Sequence, residues 1–234
     1  MEIPNFDLKC GKYKHTNFTQ LYPYMPDRFF RMLVCAPAGS GKTNLLLHMI
    51  TKPLLYYDKI HLYAKNLQQD KYQYLLEEFK PFSKKCGYDI IESSNGDVIP
   101  LDEMDDGNQK LIIFDDYLNT GVKNDREILN YFTNSRNKNC SCIYLSQSFY
   151  KTNKTIRLNC SHLCIFNFSD KDEERMICQK LNVDKDKYLM ATNEPYTFLY
   201  VDKPRKFNAK NFTKIIWIVN KWVFKTENQN QSIQ

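Results

Sequence analysis

Residues 36–43 read Ala-Pro-Ala-Gly-Ser-Gly-Lys-Thr, and no other stretch restricts what this chain can fold into so tightly. Gly39 and Gly41 permit backbone turns that aim successive N–H groups at one point. Lys42 supplies a point charge suited to β- and γ-phosphates, and Thr43 a hydroxyl suited to magnesium. The apolar run 29–35 before the loop reads as a buried strand. Residues 42–50 read as the helix after it, whose N-terminal dipole favours an anion. Strand, loop and helix in that order predict a phosphate-binding loop for ATP, held by Ala36, Pro37, Ala38, Gly39, Ser40, Gly41, Lys42, Thr43 and Asn44. Ala36 stands where the pattern begins with glycine, a position that needs only a small side chain.

A phosphate loop alone hydrolyses nothing. The near-continuous apolar run Leu111-Ile112-Ile113-Phe114 reads as a second buried strand and ends in Asp115-Asp116. A carboxylate ending a strand beside the loop can hold the magnesium shell, a role assigned to Asp115 together with Thr43. Asp116, one residue on, is placed to orient an attacking water as base. Ile143-Tyr144-Leu145-Ser146-Gln147 is a third strand ending in a polar residue. In P-loop ATPases with an extra strand between the loop strand and the acidic strand, such a side chain reaches the γ-phosphate, which makes Gln147 a sensor. Arg136 lies between these elements and is expected to reach the nucleotide of a neighbouring subunit, with Arg157 as second choice. Phe149-Tyr150-Lys151 with Lys154 mixes aromatics and cations, as a loop gripping nucleic-acid backbone does.

Around these motifs, strands are expected over 59–64, 88–92, 141–146, 163–168 and 197–201, the last closing the sheet. Helices are expected over 69–79, 125–134 and 170–180, and residues 95–109 read as an acidic loop. Strands alternating with helices predict an α/β fold: a RecA-like P-loop NTPase, three-layer α/β/α with a mainly parallel central sheet. Residues 28–225 are assigned to this domain, 1–27 to an irregular arm broken by Pro4, Pro23 and Pro26, and 226–234 to a polar tail. Trp217 and Trp222 are expected in the core.

Hydrophobic residues at 42% and charged ones at 26% fit a globular chain rather than a disordered one. No apolar run is long enough to span a bilayer, and the first residues lack the pattern of a secretion signal, so a soluble intracellular protein is expected. Eight cysteines then read as thiols, with Cys35, Cys142 and Cys164 in core strands. Zinc at Cys140, Cys142, Cys160 and Cys164, near His162, is a sharper alternative, but Cys-x-Cys and Cys-x-x-x-Cys are not common structural spacings. The net charge is +6 and unevenly spread. Residues 128–169 hold no acid while Arg136, Lys138, Lys151, Lys154 and Arg157 fall inside, and residues 203–225 carry seven basic side chains and no acid. That asymmetry suggests one face turned toward phosphate.

These elements, in this order and spacing, resemble the genome-packaging ATPases of poxviruses, giant DNA viruses and virophages, part of the FtsK–HerA superfamily. The resemblance lies in residues 30–46, 111–116 and 131–159, notably Asn-Ser-Arg-Asn-Lys-Asn-Cys-Ser-Cys-Ile-Tyr-Leu-Ser-Gln and the later Thr-Ile-Arg-Leu-Asn. It implies that Lys42 and Thr43 are the loop's catalytic lysine and magnesium ligand, Asp115 and Asp116 the acidic pair, Arg136 the inter-subunit arginine and Gln147 the sensor. Asn137 stands where histidine is expected after that arginine. The resemblance further implies a ring of five or six identical subunits that uses ATP and Mg2+ to drive double-stranded DNA into a preformed capsid. Its docking partner would be a capsid or portal-like vertex protein, and its place the host cytoplasm at the assembly site, or the virion. Two other readings are a small nucleoside or nucleotide kinase, and a nucleotide-binding assembly factor without turnover. A kinase needs an arginine-rich lid, and residues 170–200 offer only Arg175.

Overall fold

The apolar runs become strands because each is covered on both faces. β1 (Arg31–Cys35), β4 (Lys110–Asp115) and β5 (Cys140–Ser146) are buried at every position, which is why they lack polar alternation. The structure, a computed structural model, describes residues 29–51, 57–81, 89–93, 96–104, 107–117, 121–203 and 214–218, with Met25, Pro26, Leu54 and Leu55. The tail 226–234, Trp222 and the arm apart from Met25 and Pro26 lie outside the described residues, as does the side chain of Trp217. The other strands are β2 (Lys59–Ala64), β3 (Asp89–Ser93), β6 (His162–Phe166), β7 (Phe198–Asp202) and β8 (Lys214–Ile218). The helices are α1 (Lys42–Thr51), α2 (Asp70–Gln73, continued by the π-helical stretch Tyr74–Phe79), α3 (Val122–Asn134), α4 (Lys154–Asn159), α5 (Lys171–Leu181) and α6 (Lys185–Thr192).

Among the described residues the sheet has eight strands in the order β3-β2-β4-β5-β1-β6-β7-β8. The first six run parallel, and β7 and β8 are antiparallel additions. β5 is inserted between the loop strand and the acidic strand, with Leu33 opposite Tyr144 and Ile112 opposite Cys142. Hence the ends of β1, β4 and β5 fall side by side on one edge, the position where open parallel sheets bind ligands.

Alternate side chains feed two cores. On one face Met32, Val34, Leu62, Ile113 and Leu145 pack under Leu46, Met49 and Ile50 of α1 and Tyr72 and Leu75 of the α2 segment, with Met25 joining them. On the other, Leu33, Phe114, Cys142, Tyr144 and Leu163 pack under Ile128, Tyr131 and Phe132 of α3, Ile156 of α4, Ile177 of α5 and Tyr188 of α6. Each fully buried aliphatic or aromatic side chain contributes ~1.5–3 kcal/mol, so these two layers hold the three-layer sandwich together.

Three expectations need correction or extension. Residues 197–201 do not close the sheet: β8 pairs beyond β7, with Trp217 opposite Leu199 in backbone register. Helices α4 and α6 are additional. What marks them is a cap rather than an apolar stripe: Asn153 accepts from Thr155 N, and Asp184 from Asp186 N and Lys187 N. The described part of the acidic segment carries a 3₁₀ turn, Leu101–Glu103, and buries Val98, Leu101 and Met104.

Cys164 belongs to one core layer and Cys140, Cys142 and Cys160 to the other, so the four thiols do not converge. Among the described residues no group of three or more histidine, cysteine or acidic side chains is placed to hold a metal ion. No helix among them is long and apolar enough to cross a membrane.

Candidate active site

The phosphate loop leaves β1 under the control of its neighbour: Ala36 N donates to Ser146 O of β5 over 3.0 Å. Gly39 and Gly41 take φ of +77° and +95°, left-handed values that glycine adopts without the steric cost most side chains carry. Leu45 N then bonds Gly41 O at 2.9 Å and α1 begins. Lys42 and Thr43 therefore sit in the first turn of a helix whose dipole end faces the loop.

The end of β4 meets this loop. Lys42 Nζ lies 3.5 Å from Asp115 Oδ1, both side chains about nine-tenths buried. Asp116 turns away from the strand at φ +53°, a conformation that asparagine and aspartate tolerate best, and its N–H bonds Leu145 O of β5. That turn aims its carboxylate at the end of β5, where Gln147 Nε2 donates to Asp116 Oδ2 over 3.1 Å. Lys42, Thr43, Asp115, Asp116 and Gln147 thus line one cleft of about 350 Å³ with Pro37, Ala38, Gly39 and Gly41. All nine are residues expected at the site from the sequence, whereas Ala36, Ser40 and Asn44, expected with them, are not among the residues lining the cleft.

Others were not expected from the sequence. Lys65, Asn66, Gln69 and Lys71, from the end of β2 and the start of α2, line the same cleft. Lys65-Asn66 directly follows a strand ending on the loop's edge, a signal that the strand order makes legible. Tyr72 lies within the helix expected over 69–79, which says nothing of a role in the site. Its side chain is fully buried, and its hydroxyl donates to Asp115 Oδ2 over 2.5 Å. Burial first, and then the Asp115 charge, push the Tyr72 phenol well above its ordinary pKa, while the adjoining Thr43 hydroxyl acts the other way. It remains a donor at any working pH.

Asp115 Oδ1, by contrast, is buried and accepts no hydrogen bond. Thr43 lines the same cleft, and its hydroxyl and this oxygen are the hard donors that Mg2+ takes, so the residues fit such an ion. The convergent N–H groups, the ammonium of Lys42 and the helix end fit a polyphosphate equally well.

Arg136 is not part of this cluster. It sits exposed in the 3₁₀ turn Ser135–Lys138 before β5, on the opposite edge of the sheet. The seven residues of β5 at about 3.3 Å each put ~20 Å between that turn and the cleft. Arg31 fixes the turn's position, donating from Nη2 to Thr133 O at 2.8 Å and from Nε to Ser135 Oγ at 3.4 Å. Arg157 is engaged within its own chain. Its Nε donates to Thr152 O at 3.0 Å, and its guanidinium lies 5.2 Å from the Phe149 ring centre. Phe149 itself is buried, which leaves Tyr150, Lys151 and Lys154 as the exposed members of the aromatic-basic loop. Glu173 braces that loop, accepting from Ser148 Oγ and, at 2.9 Å, from Tyr150 N.

A mainly parallel sheet with a glycine-rich loop after β1, an acid pair after β4 and one strand inserted between them defines a P-loop NTPase of the additional-strand type. The chain belongs to the poxvirus A32 protein family, whose profile matches residues 20–231. It is 26% identical over 155 residues to the DNA packaging protein OPG160 of variola virus and to that of vaccinia virus, a match covering 63% of this chain and 57% of each relative. The match thus spans little more than half the length of those curated relatives. Its fold is similar to that of B204, the DNA-packaging ATPase from Sulfolobus turreted icosahedral virus. The TM-score is 0.58 at 15% identity, covering 81% of this chain and 98% of that one. The genome packaging NTPase B204 of Sulfolobus turreted icosahedral virus 2, solved with AMP, gives a TM-score of 0.53 at 12% identity, covering 81% of this chain and 98% of that one.

Proposed function

We propose that this chain is an ATP-hydrolysing motor that moves double-stranded DNA, packaging a viral genome into a capsid. The observation that carries the reading is the convergence of Lys42, Asp115, Asp116 and Gln147 on the phosphate loop, with Lys42 Nζ 3.5 Å from Asp115 and Gln147 bonded to Asp116 at 3.1 Å. Lys42 and the loop N–H groups bind the β- and γ-phosphates. Thr43 and Asp115 would hold Mg2+, which would neutralise charge on the phosphates. Asp116 orients a water and takes its proton, and Gln147, tied to Asp116, senses whether the γ-phosphate is there.

Family membership and the packaging names of the viral relatives support the choice of motor over kinase. Arg136 acts in trans. Its place on the far edge of the sheet keeps it from its own cleft but suits the nucleotide of the next subunit in a ring, a pentamer or hexamer. Charge stabilisation by such an arginine is worth roughly 10³-fold or more in rate. Tyr150, Lys151 and Lys154 follow the sensor by a few residues and lie in the acid-free span, so they suit contact with DNA phosphates. Those contacts carry no sequence information, as packaging a whole genome requires. The capsid or a portal-like vertex protein would anchor the ring at the site of virus assembly in the host cytoplasm.

The test is ATP hydrolysis with and without duplex DNA of unrelated sequences, alongside a mass measurement of the assembly. Mg2+-dependent hydrolysis accelerated by any duplex, in a ring-sized oligomer, supports the reading. Transfer of phosphate to a nucleoside with no response to DNA overturns it in favour of a kinase.

A further inference from the structure

Tyr196 is the least expected side chain near the phosphate loop. It belongs to the short connection between α6 and β7 and has φ +64°. Among the described residues five non-glycine positions have positive φ, and three of them are aspartate or asparagine, which tolerate it. Phe29 and Tyr196 are bulky, so their backbones are strained, and such strain persists only where the surroundings impose it. The turn is held by Thr197, whose N–H and Oγ1 both bond Glu194 O, at 3.2 and 2.7 Å.

The strain delivers the ring to one place. A Cβ built on Gly41 would stand 2.9 Å from Tyr196 Cδ1, so the ring lies directly against the loop glycine that precedes Lys42. Yet 61% of the residue stays exposed, which a ring placed only for packing would not need. Tyr196 also lies on a definite side. Asp116 and Gln147, at the ends of β4 and β5, flank β1 on one side in the sheet, and β6 and β7 follow on the other. β7 is antiparallel, with Phe198 opposite Phe166 at the end of β6, so its leading connection falls on the same edge as the loop. If the γ-phosphate end of a bound nucleotide points to the Asp116 side, its base must leave toward Tyr196.

We infer that Tyr196 is the platform on which the purine base of the nucleotide stacks, a base subsite beside Gly41 separate from the phosphate cleft. This rests on the reading of the loop as a nucleotide site. Stacking on an aromatic face accepts any base and favours the larger purines, so the subsite sets affinity rather than strict identity.

The experiment is calorimetric titration of wild type, Tyr196→Ala and Tyr196→Phe with Mg·ATP and, separately, with Mg·tripolyphosphate, which has no base. Tyr196→Ala is expected to bind ATP about tenfold or more weakly. It should bind tripolyphosphate as wild type does, which also shows that the loop is intact, and Tyr196→Phe should restore ATP affinity. Equal ATP affinity in wild type and Tyr196→Ala overturns the subsite while leaving the phosphate site standing, as does an equal loss of both ligands that Phe does not restore. Wild type that binds neither ligand overturns the nucleotide site and the subsite together.

Discussion

The Tyr72 hydroxyl donates to Asp115 Oδ2 over 2.5 Å, and this one bond ties α2 to the end of β4 inside the site. It occupies one carboxylate oxygen and leaves the other, Oδ1, facing Lys42 at 3.5 Å without a hydrogen bond. A carboxylate held this way has one oxygen fixed by the fold and leaves the other for the Mg2+ ion proposed above.

Tyr72→Phe should therefore act twice. It leaves a buried charged acceptor without its donor, which costs ~1–3 kcal/mol of stability, measurable as a lower denaturant midpoint. It also frees Asp115 to rotate, so the Mg2+ concentration for half-maximal hydrolysis should rise. An unchanged Mg2+ dependence in a destabilised variant would reduce Tyr72 to a packing residue.

Arg136→Ala and Lys42→Ala should each be inactive alone, yet mixtures of the two should recover measurable ATPase activity. In a mixed ring some interfaces pair an intact loop with an intact arginine. No recovery in assemblies proven to contain both subunits would remove Arg136 from the site.

Glu173 is expected to matter to DNA and not to ATP. It holds the loop carrying Tyr150 and Lys151 through Ser148 and the Tyr150 N–H. Glu173→Ala should weaken duplex binding several-fold at fixed salt while nucleotide affinity stays level, as read by anisotropy and by nucleotide titration.

Stability should fall in alkali. Burial raises the thiol pKa of Cys160 from 9.0 to about 12 and pushes those of Cys35, Cys142 and Cys164 up as well. A thiol with a raised folded pKa contributes its full stability below the unfolded value and loses it as pH rises through the folded one. Each such group costs about 1.36 kcal/mol per pH unit in that window. Melts from pH 7 to 10.5 should be level to about pH 8 and then decline. Cys160→Ala should flatten the decline, and a curve unchanged by that substitution would contradict this cause.

The parts of the fold that sequence made legible are those where one local rule suffices. Residues 111–114 read as a strand covered on both faces, and the glycines at 39 and 41 permit the turns with positive φ that the loop takes. β8 was hidden because nothing within residues 214–218 names a partner strand, and only the antiparallel register with β7 supplies one. Helix α6 lacks a clear apolar stripe, and its Asp184 cap was the better signal. Tyr72 and Tyr196 escaped notice for a different reason. Each reaches the loop from a segment well removed from it in sequence, and no spacing rule reports such an approach.

Asp116 is central to the proposed hydrolysis, since its backbone turn and bond to Gln147 point its carboxylate into the cleft. Single-turnover hydrolysis of ATP by Asp116→Asn, with ATP binding measured on the same sample, tests it most directly. The expected result is binding at wild-type strength with hydrolysis slowed by roughly 10²-fold or more. Hydrolysis at the wild-type rate would contradict it.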